Sequence, residues 1–141
     1  MGPVTGIATS IAAGLMMLAQ VAGPPGPPAQ EAVSPVTPMI GLEGPELDAC
    51  GGIGSIGNYQ ASEVVRSAPD DGAAEADRLP HTTLVWLCEA KGEWQGIVYP
   101  SGEFQDLGDC QVSSPVSEAR AYDGPCRFGW VRAGQLQLVA G

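Results

Sequence analysis

Histidine is nearly missing from this chain. His81 is the only one in 141 residues, so any chemistry that needs an imidazole has a single candidate. Positive charge is scarce as well: six Lys and Arg stand against sixteen Asp and Glu, for a net charge of −10. No basic cluster occurs anywhere, so a phosphate backbone would be repelled and nucleic-acid binding is not expected. An anionic lipid surface fails as a partner for the same reason. The acidity itself reads as a solvated, self-repelling surface. No two cysteines stand close enough for a zinc knuckle, whose ligand pairs lie about two to four residues apart. Neither a metal nor a cofactor is expected. Beyond the N-terminal segment there is no sustained apolar repeat at i, i+3, i+4, which argues against amphipathic helices.

Residues 1–30 carry no charged side chain. Within them Ile7 to Val21, "IATSIAAGLMMLAQV", is mostly apolar. That matches a signal-peptide h-region and falls short of the roughly 20 residues a spanning helix needs. Val21-Ala22-Gly23 offers a cleavage site, so residues 1–23 are expected to be a signal peptide, with an uncleaved membrane anchor as the alternative. No cysteine follows the apolar run, which argues against lipoprotein attachment. The expected location is periplasmic or secreted, where the even set Cys50, Cys88, Cys110 and Cys126 favours disulfides. Seven of the thirteen prolines lie between Pro24 and Pro45. This stretch has no aromatic residue and no periodicity, so residues 24–48 are expected to be a disordered, Pro/Gly-rich linker. Its "GPPGPP" is too short for a collagen helix, and the PxxP of Pro35–Pro38 is common by chance in such spacers.

From about Ala49 to Gly141 the signals are β throughout. Gly and Pro punctuate short runs: "SEVVRS", "TLVWLCEA", "EWQGIVY", "GWVRA", "LQLVA". Alternation in "TLVWLCEA" places Val85 and Leu87 on one face, Trp86 and Cys88 on the other. Lys91-Gly92 turns the chain so that Trp94 to Tyr99 returns, and Asp70-Asp71-Gly72 marks another turn. Short strands at this spacing point to an all-β domain, a small barrel or sandwich.

These runs, in this order, resemble the bacterial SH3-like (SH3b) domain. Val65-Arg66-Ser67-Ala68-Pro69 fills a V-R-x-x-P box. Leu79, Thr83 and Val85 fit L-x-x-G-T-x-V, Trp94 and Ile97 fit W-x-x-V, and Gly129-Trp130-Val131 with Leu136 fits the closing G-W-V. The resemblance spans roughly residues 54–140. It implies a five-stranded barrel over residues 49–141, with Val65, Val85, Leu87, Ile97 and Val131 inside and Trp94 and Trp130 as packing plates. Three departures stand out. Glu63 occupies a position that is apolar in the family, Thr82 replaces its turn glycine, and the link from Pro100 to Phe128 is long.

A Cys/His hydrolase needs an exposed thiolate beside an imidazole. His81 and Cys88 are seven residues apart, about 23 Å along an extended strand, so they cannot meet. No acid/base pair of carboxylates stands out, and no catalytic residue is expected. The cysteines then read as staples. Cys110 with Cys126 would close the long insertion, a closure worth about 3 kcal/mol. Cys50 with Cys88 would tie the start of the domain to the central strand; the other two pairings stay open. The resemblance implies a non-catalytic binding module for a peptide or a peptidoglycan component. The alternative is a structural or assembly subunit of the cell envelope that binds another protein. Candidate binding residues are Trp86, Tyr99, Tyr122 and Trp130, with Asp70 and Asp71 as an acidic rim suited to an amine-bearing peptide. Trp86 leads them, because it lies opposite the Val85–Leu87 face.

Overall fold

The computed structural model of the chain describes residues 32–57, 62–101 and 106–141, with isolated positions before residue 32. Met1–Gln30 and Glu31–Gly141 are separate units, and the second is described below. The expected signal segment, residues 1–23, and the expected linker up to residue 31 lie, apart from those positions, outside the described residues. Among the described residues no helix is long and apolar enough to cross a membrane.

Turn residues cut the chain into short strands: β1 (Met39–Ile40), β2 (Gly52–Ile56), β3 (Glu63–Arg66), β4 (Glu75–Leu79), β5 (Leu84–Lys91), β6 (Trp94–Tyr99), β7 (Arg120–Ala121), β8 (Arg127–Arg132) and β9 (Leu136–Ala140). Among the described residues helix is confined to two short 3-10 turns, Leu107–Cys110 and Ala133–Gln135. Seven strands form one sheet in the order β4-β3-β8-β6-β5-β2-β9, and β1 pairs with β7 in a second. All these ladders are antiparallel, so the chain is mainly β, as expected. The sheet, however, has seven strands with β4 and β9 at its ends rather than the five of the implied barrel, because β2 and β9 extend it beyond β5. The β5–β6 hairpin turns at Gly92, whose φ of 60° suits a residue without a Cβ. Gly129 has a different reason. A Cβ there would press into Val65 and lie 2.9 Å from the Arg66 carbonyl oxygen, so the close passage of β8 and β3 requires glycine.

Side chains alternate along β5, β6 and β8, and both faces of this part of the sheet are apolar. One face carries Ile56, Val65, Leu79, Val85, Ile97, Tyr99 and Val131, with Leu87 packed against them. These include all five residues expected inside. The other face carries Trp86 and Val98 among its cluster. An apolar face needs a cover, and two segments supply it: residues 36–50 before β2, and the insertion 106–126 between β6 and β8. Both contribute to the second cluster, through Ile40, Ala49 and Cys50 from the first and Cys110, Val112, Tyr122 and Cys126 from the second. The two covers hold each other. Met39 pairs with Ala121, Ala49 N–H donates to the Ser114 carbonyl at 3.0 Å, and Cys50 N–H donates to that of Val112 at 3.1 Å.

The described part of the expected linker is therefore part of the fold. Pro38 and Ile40 are buried. Val36 N–H donates to the Ser67 carbonyl at 2.9 Å, and the Val36 carbonyl accepts the Trp130 indole N–H at 2.7 Å. The physical reason is that proline pre-sets an extended backbone without requiring partners for its own missing N–H. Such a segment can lie flat as a strap once apolar neighbours such as Ile40 have a surface to bury against. The disulfides join Cys50 to Cys88 and Cys110 to Cys126, the preferred pairing, and each fastens one cover.

Candidate functional site

The four aromatics expected to line an exposed groove are all buried. Trp86 is 9% exposed, and its indole N–H donates to the Leu107 carbonyl at 2.8 Å. The turn Leu107–Cys110, anchored by the Cys110–Cys126 bond, is what reaches over it. Tyr122 lies in the same cluster. Its hydroxyl donates to the Cys110 carbonyl at 2.9 Å and accepts the Cys126 N–H at 3.0 Å, bracing both ends of the disulfide loop. Trp130 is fully buried beneath the strap. Tyr99 belongs to the opposite cluster. Trp86 and Tyr122 are thus brought together, and Tyr99 and Trp130 are elsewhere.

The Tyr99 hydroxyl donates to Asp77 Oδ2 at 2.8 Å, and Arg127 approaches the same oxygen at 3.3 Å. Burial pulls the Asp77 carboxyl upward, but the Tyr99 hydroxyl, the Arg78 N–H and Arg127 together hold it below its ordinary value. Burial, and then the Asp77 carboxylate, push the Tyr99 phenol far above its own. Asp70 accepts the Gly72 N–H at 2.7 Å and so shapes its own turn. Asp71 pairs with Arg132, which also reaches Glu93 at 2.8 Å and lies 4.4 Å above the Trp94 ring. Asp71 is thus engaged with Arg132, the cation that lies over Trp94.

An open site exists elsewhere. Gly51 and Gly52 lead into β2 beside the end of β9, with a cleft on either side; the Glu43 carboxylate lies against Gly51, where a Cβ would meet it. On one side lies a cleft of about 290 Å³ walled by Leu42, Leu87 and Leu138, with Glu43 also in its lining. On the other lies a cleft of about 350 Å³ walled by Ile53, Trp86 and Ala140, with Asp48. Gly51, Gly52 and Gly141 line both. The Cys50–Cys88 bond stands between them, Cys88 facing the first cleft and Cys50 the second. Leu42 and Leu138 are 51% and 71% exposed.

No family model, curated protein or solved structure matches the chain.

The chemistry of the site must therefore be taken from its own groups. All four cysteines are in disulfides, and among the described residues no three His, Cys, Asp or Glu gather as a metal-binding group. The clefts present apolar walls, backbone and the carboxylates of Glu43 and Asp48. Leu42, Leu138 and Val139 are not among the binding candidates the sequence offers. A signal was there: "LQLVA" sets apolar residues on both faces of one strand, which a half-buried strand does not do.

Proposed function

We propose that the chain is a non-catalytic, exported SH3-like module that binds a peptide segment of another molecule in the cell envelope. The observation that carries this reading is the Leu42–Leu138 cleft. Two large apolar side chains, Leu42 and Leu138, stand open to solvent around a cleft floored by Gly51 and Gly52, with the Glu43 carboxylate lying against Gly51. Exposed apolar surface of this kind commonly marks an interaction site. The SH3-like part rests on the four sequence boxes and is supported by the antiparallel sheet with its buried Val65, Val85, Ile97 and Val131. Two disulfides fit an oxidising, extracellular location.

Between a cell-wall component and a protein partner, the burial of Trp86, Tyr122 and Trp130 favours the protein. Of the expected aromatic surface only Trp86, 9% exposed in the wall of the second cleft, is left for a wall-derived ligand to rest on. The assembly-subunit reading gains from the same fact and from exposed Leu138 and Val139. The test compares the chain with Leu42→Glu and Leu138→Glu variants in photo-crosslinking to envelope proteins and in sedimentation with purified peptidoglycan. We expect a crosslinked protein that both variants lose while their melting temperatures stay unchanged. Equal crosslinking by all three would remove the cleft from consideration, and retention on peptidoglycan alone would favour the wall.

A further inference from the structure

Among the described residues, strand β9 ends the seven-stranded sheet and has one ladder, to β2. Its five residues, LQLVA, include no charge. Leu138 and Val139 are neighbours on a strand and so point to opposite faces, yet they are 71% and 57% exposed. The strand at the other end of the sheet is built differently. β4 carries Glu75, Asp77 and Arg78 within five residues, and Arg78 pairs with Glu75. Sheet edges are normally blunted by charge or proline because their open N–H and C=O groups invite another strand. β4 is blunted in this way and β9 is not. The Leu42–Leu138 cleft opens on one face of β9, and none of the six basic residues lines either cleft.

We propose that β9 is a docking edge that takes up an extended strand of a partner protein. That strand is apolar at alternate positions and basic at the end that reaches Glu43 and Asp48. This rests on the binding-module reading and deepens it: the cleft is the same, and the mode is strand addition. The outer N–H and C=O groups of β9 would bond the partner's backbone, while Leu138 and Leu42 receive its apolar side chains. A second copy of this chain fits poorly. Its own β9 brings no positive charge to Glu43 and Asp48, and two chains of net charge −10 repel each other.

The full chain is titrated with three blocked peptides about ten residues long, enough to span such a strand. One alternates valine with lysine, one alternates valine with glutamate, and the third is the lysine peptide with alternate backbone amides N-methylated. Calorimetry gives affinity, amide hydrogen exchange gives location and sedimentation gives oligomeric state. We expect the lysine peptide to bind, to slow exchange across Gln137 to Ala140, and to weaken as salt rises. The glutamate and N-methylated peptides should bind at least about tenfold more weakly, and Leu138→Lys should weaken the lysine peptide by a similar factor, as loss of one buried leucine implies. Binding that depends on Leu42 but leaves β9 exchange unchanged and tolerates N-methylation would overturn strand addition while sparing the cleft. No binding by any peptide would also overturn it, and with crosslinking indifferent to Leu42 both readings fall. Concentration-dependent dimers that protect β9 without peptide would assign the edge to a second copy and overturn the partner proposed here.

Discussion

Thr82 holds a φ of 71°, a region where a β-branched side chain is strained. Its N–H donates to the Ile56 carbonyl at 2.8 Å, and the next hydroxyl, of Thr83, donates to the Pro80 carbonyl at 2.7 Å. The turn into β5 thus keeps the shape a glycine would adopt, and the surrounding hydrogen bonds impose it. Thr82→Gly should stabilise the fold by about 0.5–1 kcal/mol, since strain of about 1–2 kcal/mol is relieved while the unfolded chain gains freedom. Urea denaturation would measure it, and a loss of stability would mean the Thr82 side chain makes favourable contacts that outweigh its backbone. Tyr99 gives a pH signature. Its phenol is raised in the fold above the ordinary value of 10.0 by burial and by Asp77. Above that pH the unfolded chain releases a proton that the folded chain retains, so stability contributed by Tyr99 is complete below about pH 10 and declines as pH rises. Tyr99→Phe should remove that decline. Parallel unfolding curves for both proteins from neutral to alkaline pH would contradict it.

At the scale of elements, the insertion behaves as a lid fastened at both ends by one bond. Cys110→Ser and Cys126→Ser should each destabilise the fold by about 2–4 kcal/mol, and the double variant should add little, because the two changes remove the same link. Both should also expose Trp86, read as increased quenching of its fluorescence. Additive losses, or an unchanged Trp86, would detach the bond from the lid. The strands themselves were legible in the sequence because a period of two shows in the residues, as at Val85–Leu87 against Trp86–Cys88. For the cysteines, loop length favours Cys110 with Cys126 and leaves the other pairings open, because sequence spacing alone does not bring two sulfurs together. What lies against the outer face was not. Alternation tells which side chains share a face; it does not tell what covers that face. Pro38 declares an extended backbone whether it floats in solvent or lies over Trp130, and Trp86 reads the same whether it lines a groove or sits beneath Leu107. The cleft is illegible for a related reason: Gly51 and Gly52 come beside Leu42 and Leu138 only through the fold.

For the molecule as a whole, charge is the dominant feature. Its positive charges are largely engaged: Arg78 with Glu75, Arg120 with Asp123, Arg127 with Asp77, and Arg132 with Asp71 and Glu93. The surplus of carboxylates leaves a net charge of −10 that repels itself across the surface. Raising salt from about 0.01 M to about 0.15 M shortens the screening length from about 30 Å to about 8 Å, which should relieve this repulsion and raise the melting temperature by a few degrees. A fall instead would show that the exposed ion pairs outweigh the surplus. The two bonds also carry a message about order in time. Cys50 joins Cys88 and Cys110 joins Cys126, so each thiol pairs with its neighbour along the chain and the loops never interleave. In a chain delivered N-terminus first to an oxidising space, the first mate Cys50 meets is the native one, and both are already consumed when Cys110 arrives. An oxidant alone is then sufficient to write the bond map, with no reshuffling by thiol–disulfide exchange.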